Sequence, residues 1–232
     1  MFMGMTDKLA ERFGEAGGSG LPMVKICGFR DRANAVEIAS MEGVGMIGLN
    51  FWPQSKRYIS PAEAGTWVAD LPADVLRIGV CVDAAAADMR GWVESGLVDA
   101  VQLHGDESPE LCQQLVDSGI PFIKAFGLAG PETLESVARY PGRMVLFDAH
   151  APLERGGTGR TTDWNLLRQW MDSNPDYQVT LSGGLSPDNI ANAITTVRPS
   201  AVDCASGVET EPGLKDPAKV RRLLVNARLK RR

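Results

Sequence analysis

The sequence predicts an α/β fold, a single-domain (β/α)8 barrel of the TIM type. Three observations predict it. Eight short apolar, β-branched runs recur along the chain, and their starts lie 21 to 35 residues apart. Each interval has room for one strand, one helix and two loops. The chain is 232 residues long, and no change of composition divides residues 23–232. An α/β barrel reaches that length as one domain. An open doubly wound sheet is the alternative for the same alternation.

The strand runs are MVKICG (23–28), GMIGLNF (45–51), LRIGVCVD (76–83), AVQLHG (100–105), PFIKAFG (121–127), RMVLFDA (143–149), QVTLSGG (178–184) and SAVDCASG (200–207). The helices between them carry start and stop signals. Asp31 caps RANAVEIASMEG, which closes on Gly43. Ser60-Pro61, Ser108-Pro109 and Ser186-Pro187 each put a capping residue ahead of proline at the first helical position, and Gly130-Pro131 is a weaker form. Asp83 is expected to cap AAAADMRGWVESG, and Thr162 or Asp163 to cap WNLLRQWMD. A final helix runs from Lys215, with Val220, Leu223 and Leu224 at helical spacing. Residues 1–22 read as a flexible leader outside the fold, with a Gly-rich stretch from Gly14.

Composition removes several classes of function. Hydrophobic residues make up 44 % and charged residues 23 %, so the chain is globular rather than disordered. The net charge of −5 argues against a nucleic-acid partner, whose sites carry a basic excess. Four cysteines lie far apart with no C-x-x-C pair, and there are only two histidines, so neither a zinc framework nor an imidazole-rich metal site is expected. There is no apolar run of membrane-spanning length and no secretory h-region, which makes cytoplasm the expected compartment. Without a long exposed apolar run a monomer is expected, with a homodimer as the alternative.

Barrel chemistry sits at the carboxyl ends of the strands. Alternation along each strand places Lys25 and Cys27, Gln102 and His104, and Leu146 and Asp148 toward the axis. Cys27, His104 and Asp148 then share one mouth. Lys25, Lys124 and Asp203 are read as barrel-facing groups that pair with one another, since an unpaired buried charge is costly. Cys81, Cys112 and Cys204 read as small buried apolar residues. Glycine clusters end the last three strand–helix units: GGTG (156–159), Gly183-Gly184 after a serine, and Ser206-Gly207. Glycine lets backbone N–H groups approach an anion, and barrels hold phosphate after strands seven and eight. A small phosphorylated substrate is therefore expected.

Seven ordered segments, VKICG, SKR (55–57), VQLHGDE, FDA, GGTGRTTDW, LSGGLSPDNI and VDCASGVETEPGLKD, together resemble the phosphoribosylanthranilate isomerase family of tryptophan biosynthesis. The resemblance covers residues 23 to about 225. It implies a barrel that converts N-(5-phosphoribosyl)anthranilate to 1-(2-carboxyphenylamino)-1-deoxyribulose 5-phosphate by a cofactor-free Amadori rearrangement, without metal. It also implies roles: Cys27 as general base, Asp148 as general acid, Arg57 against the anthranilate part and His104 in the substrate pocket. Gly157, Thr158, Gly159, Gly183, Gly184, Ser206 and Gly207 would grip the phosphate. A carboxyl group must protonate the sugar ring oxygen, and a thiolate can then remove the C2 proton of the opened Schiff base.

Three positions depart from the pattern. Lys56 replaces the proline of the usual S-P-R, Thr162 replaces an aromatic residue, and Ala205 stands where a polar residue is common. The rival readings are the histidine-pathway phosphoribosyl isomerase and a non-catalytic barrel that binds a phosphorylated metabolite. The first would want a carboxylate where Cys27 stands and two similar halves. The second would lack Cys27 or Asp148.

Overall fold

A computed structural model describes residues 21–148 and 164–229. Eight parallel strands close into a barrel in chain order: β1 (Met23–Cys27), β2 (Val44–Asn50), β3 (Leu76–Cys81), β4 (Ala100–Leu103), β5 (Phe122–Gly127), β6 (Met144–Asp148), β7 (Gln178–Ser182) and β8 (Ala201–Cys204), with β8 paired back onto β1. Between them run α1 (Arg32–Ala39), α2 (Pro61–Gly65), α3 (Ala86–Glu94), α4 (Pro109–Asp117), α5 (Pro131–Ser136), α6 (Trp164–Ser173) and α7 (Ile190–Val197), and α8 (Pro217–Ala227) follows β8. The barrel is closed, so the open-sheet alternative falls. The leader reading lies, for residues 1–20, outside the described residues, as do the expected caps Thr162 and Asp163.

Alternation along the strands divides the core in two. Met46, Leu76, Ile78, Ala100, Ile123, Ala125, Leu146 and Ala201 pack with one another inside the barrel. Ile26, Leu49, Val101, Leu103, Val145, Phe147, Leu181 and Val202 meet the helices in the outer layer. The sequence parity of β1, β4 and β6 therefore stands. Lys25 is fully buried inside and reaches Asp203 at 3.1 Å, its register partner on β8. Lys124 is a correction. Its neighbours Ile123 and Ala125 face the axis, so Lys124 faces outward, over the Phe126 and Tyr140 rings and 2.9 Å from Glu107.

The local signals held where a side-chain oxygen could reach the third amide of the helix. Asp31, Ser60 and Ser108 accept from the backbone N–H of Asn34, Glu63 and Leu111. Three expectations failed. The first helix ends at Ala39 with Ser40 as its cap, and Gly43 turns the chain into β2 at φ +103°. Ser186-Pro187 opens a turn rather than a helix. Asn189 accepts from the Ser186 N–H there, and α7 starts only at Ile190. Asp83 caps nothing, because α3 begins after Ala85 without a side-chain cap. Its backbone lies in the left-handed region at φ +50°, and its carboxylate accepts from the Asp106 N–H at 2.8 Å. Asp83 is thus spent on joining the loop after β3 to the loop after β4.

One element had no counterpart in the reading of the sequence. After β8 the chain makes a 3-10 turn (Ser206–Val208) and then a two-stranded hairpin, β9 (Glu209–Glu211) with β10 (Leu214–Lys215).

Candidate active site

Cys27 is the last residue of β1 and faces the axis, 8 % exposed at the mouth. Space for its thiol comes from Gly48 on β2, where a Cβ would stand 2.5 Å from Sγ. Lys25 lies two residues below on the same face. Burial pushes the Cys27 thiol up from its ordinary value, and the Lys25 and Lys215 ammonium groups oppose that shift. Burial would pull Lys25 down, but Asp203 and Cys27 together outweigh it and hold this ammonium above its usual value.

Asp148 ends β6 and also faces the axis, with its Oδ2 3.8 Å from His104 Nε2. Gln102 on β4 sits 2.8 Å from His104 Nδ1. With the Gln102 amide nitrogen as donor, Nδ1 accepts and the ring proton sits on Nε2, toward Asp148. Burial lowers the His104 pKa, against the pull of Asp148, so the imidazole is neutral around pH 7. The expected convergence of Cys27, His104 and Asp148 at one end of the barrel is present.

The ends of β7 and β8 are locked together. Gly183 and Gly184 have φ of +91° and +65°, a pair of left-handed residues that side chains would strain. A Cβ on Gly207 would stand 2.0 Å from the Leu185 carbonyl oxygen, so no side chain fits where the two loops meet. Asn189 Nδ2 donates to the Gly184 carbonyl at 2.9 Å and Cys204 Sγ lies 3.0 Å from the Leu185 carbonyl. Gly183, Gly184, Ser206 and Gly207 therefore form one rim of small residues beside Cys27. Gly157, Thr158 and Gly159 lie outside the described residues.

Arg57 stands beside this rim. Its Nε and Nη2 donate to the two carboxylate oxygens of Glu209 at 2.7 and 2.6 Å. Glu209 also accepts from Lys215 Nζ at 2.7 Å and from the Gly213 N–H at 3.0 Å, and Lys215 donates to the Cys27 carbonyl as well. Glu209 and Lys215 escaped the reading of the sequence. The signal was the Pro212-Gly213 turn between two short polar segments, which pairs Glu209 with Lys215 across a hairpin.

Burial alone would push Glu209 up, but the bonds from Arg57, Lys215 and Gly213 hold its carboxyl at about 2, against an ordinary value of 4.5. A depressed folded pKa gives stability that is complete above the unfolded value and is lost as pH falls through the folded one. Denaturation midpoints should therefore drop as pH falls from about 4.5 toward about 2, and Glu209→Gln should flatten that part of the curve. An unchanged curve for the variant would show that the slope belongs to other carboxylates.

Among the described residues no three His, Cys, Asp or Glu side chains come together as metal ligands, and no helix is long and apolar enough to cross a membrane.

The family model described as PRAI, N-(5'phosphoribosyl)anthranilate (PRA) isomerase, matches residues 24–226. The N-(5'-phosphoribosyl)anthranilate isomerase of Synechococcus sp. is 42 % identical over 206 residues, 87 % of this chain and 88 % of the relative. That of Thermotoga petrophila is 40 % identical, over 88 % of this chain and 98 % of the relative. The crystal structure of the Thermotoga maritima phosphoribosyl anthranilate isomerase superimposes with a TM-score of 0.78 at 37 % identity, covering 89 % of this chain and 98 % of its own.

Proposed function

The chain belongs to the family of N-(5'-phosphoribosyl)anthranilate isomerases, and from that premise we propose that Cys27 and Asp148 divide the acid–base work of the rearrangement in its barrel mouth. One observation carries the assignment. Each group ends a strand and faces the axis. The ring of strands separates them by β7 and β8 on one side and by β2 to β5 on the other. A substrate laid across the mouth meets one group on each side.

The chemistry follows in three proton movements. Asp148 gives its proton to the ribose ring oxygen, the C1–O bond breaks, and the anthranilate nitrogen supplies the electrons for a C1=N Schiff base. That cationic nitrogen acidifies the C2 proton, which the Cys27 thiolate removes to leave an enolamine. Tautomerisation then places a proton on C1 and a carbonyl at C2. No electron enters or leaves, so the residues present suffice. His104 presents its Nε2 proton toward Asp148 from the β4 side of the mouth.

The phosphate lies on Gly183, Gly184, Ser206 and Gly207, whose backbone conformation allows close approach. The family resemblance gives Gly157, Thr158 and Gly159, which lie outside the described residues, a share in holding the phosphate. A crystal structure of one relative, at a TM-score of 0.76 and 34 % identity, is described as a complex with reduced 1-(o-carboxyphenylamino)-1-deoxyribulose 5-phosphate. A ligand of that class fits an acid on one wall, a base on the other and a phosphate rim beside the base. Arg57 receives the anthranilate carboxylate, next to the strand that carries the base. The departures at Lys56 and Ala205 leave the acid–base pair untouched.

The test is turnover. Purified protein given N-(5-phosphoribosyl)anthranilate in the presence of a chelator should quench anthranilate fluorescence rapidly, and Asp148→Asn should slow this by about 10²–10⁴-fold. Folded wild-type protein that leaves the substrate intact overturns the reading.

This reading places a monomer in the cytoplasm. Among the described residues the exposed large apolar side chains, Val116, Leu214, Val225 and Leu229, lie on α4, on β10, on α8 and just after it, so no large apolar face is evident among the described residues. Sedimentation velocity over a dilution series should give one species at 25.0 kDa. A stable species of twice that mass would replace the monomer with a dimer.

A further inference from the structure

We propose that Glu209 is a positioning residue for substrate selection: it fixes the Arg57 guanidinium so that its remaining edge receives the anthranilate carboxylate. The inference rests on the reading above in which Arg57 takes that group. Glu209 touches no reacting atom.

The geometry separates the two residues into a back and a front. The Glu209 side chain is 6 % exposed and the Arg57 side chain 26 %. Glu209 is held from behind by buried Lys215 and by the Gly213 N–H at the hairpin turn, so it cannot swing away with Arg57. Gly213 itself sits at φ +93°, a turn that favours glycine. In front, Nε and Nη2 of Arg57 are occupied by Glu209, while Nη1 has no hydrogen-bond partner among the described residues. A planar fork with one edge fixed presents the other edge in a set direction, which a lone arginine on a flexible stem does not.

The stem is fixed as well. Arg57 Cδ packs over Gly28, where a Cβ would stand 2.3 Å away, and Gly28 directly follows Cys27. The Arg57 N–H donates to Ser55 Oγ at 3.1 Å. Lys215 in turn donates to the Cys27 carbonyl, so hairpin, guanidinium and base share one frame. Two cations against one carboxylate leave a surplus positive charge at this corner, which suits a second carboxylate. A competing substrate in which the amine lacks that group gains nothing from it. Holding the donor in place before binding spares its ordering on binding, so the effect falls on recognition rather than on chemistry.

A structural ion pair would predict something different, and kinetics on two substrates tell them apart. Wild type, Glu209→Gln, Arg57→Ala and the double variant are assayed with N-(5-phosphoribosyl)anthranilate and with N-(5-phosphoribosyl)aniline, which lacks the carboxylate. Glu209→Gln should raise KM for the anthranilate substrate about tenfold. It should leave kcat within about twofold, with KM for the aniline substrate unchanged. In the Arg57→Ala background the Glu209 substitution should add nothing further. Glu209→Asp, which keeps the charge but shortens the reach, should show the same split to a smaller degree and serves if the glutamine variant does not fold. Equal losses on both substrates, or additive effects in the double variant, overturn the inference. So does an Arg57→Ala enzyme with unchanged KM, and that result leaves Cys27 and Asp148 in place. Failure of the functional reading shows separately, as a wild type inactive on both substrates.

Discussion

Cys27→Ala should lose about 10²–10⁴-fold in kcat while its unfolding transition stays close to that of the wild type. The two halves of that expectation come from the same surroundings. The thiol faces Gly48 across the strand pair, so its loss leaves only a small gap at the rim of the barrel. The loss in rate is large because nothing nearby can take over. Lys25 is engaged with Asp203, and Lys215 with Glu209 and the Cys27 carbonyl. Both are cations, useful for steadying a thiolate and useless as its substitute. Cys27→Ser should be nearly as slow, because a hydroxyl is far harder to ionise than a thiol. The pH profile gives a second check. Burial raises the thiol pKa, with Lys25 pulling against it. The thiolate is therefore the minor form at neutral pH, and kcat/KM should climb with pH on that side of the profile. Lys25→Met should push the climb to still higher pH. A Cys27→Ala enzyme with near wild-type turnover would remove the base from this position.

The layout of the barrel was legible because each strand reports its own two faces. In β6, Val145 and Phe147 meet helices while Leu146 and Asp148 meet the axis, and that alternation is visible in five letters. Caps such as Ser108 were legible for a similar reason, since donor and acceptor lie three residues apart. What escaped were contacts between loops. Asp83 looks like a cap in sequence, but its carboxylate and its N–H are both taken by the loop after β4. Arg57 and Glu209 are 152 residues apart and meet only because β8 closes onto β1. Lys124 was assigned to the barrel interior as a partner in ion pairing with Lys25 and Asp203, whereas it pairs with Glu107 on the outer face. Parity with Ile123 and Ala125 would have corrected it. Alternation placed Cys27 and Asp148 at strand ends facing the axis, whereas their acid–base roles came only from the family resemblance. The frame that holds Arg57 was missed because its residues sit in a hairpin outside the repeat.

Glu107→Ala should cost about 3–5 kcal/mol of stability, more than any surface change in this chain, although Glu107 touches no part of the proposed chemistry. It sits just after β4, 3 % exposed. Its Oε1 accepts from the Asp83 N–H at 3.0 Å, both oxygens accept from the Gly105 N–H, and Oε2 meets Lys124 at 2.9 Å. Truncation leaves a buried ammonium without its counter-charge and removes the acceptor of two loop amides. The Gly105 carbonyl, 2.8 Å from Lys124 Nζ, and the Phe126 and Tyr140 rings remain as weak compensation. Lys124→Met in the same chain should recover much of the loss, because it removes the uncompensated charge and leaves an apolar stem between those rings. Urea denaturation of the two single variants and the double variant reads this directly. If the double variant is no more stable than Glu107→Ala, the cost lies in the orphaned amides of the Asp83 and Gly105 loops, not in the charge. In either case the loops after β3 and β4 loosen together. His104 follows β4 and faces Asp148 from that side, so kcat should fall modestly in Glu107→Ala while KM for the carboxylated substrate, which the proposal above assigns to Arg57, should not change.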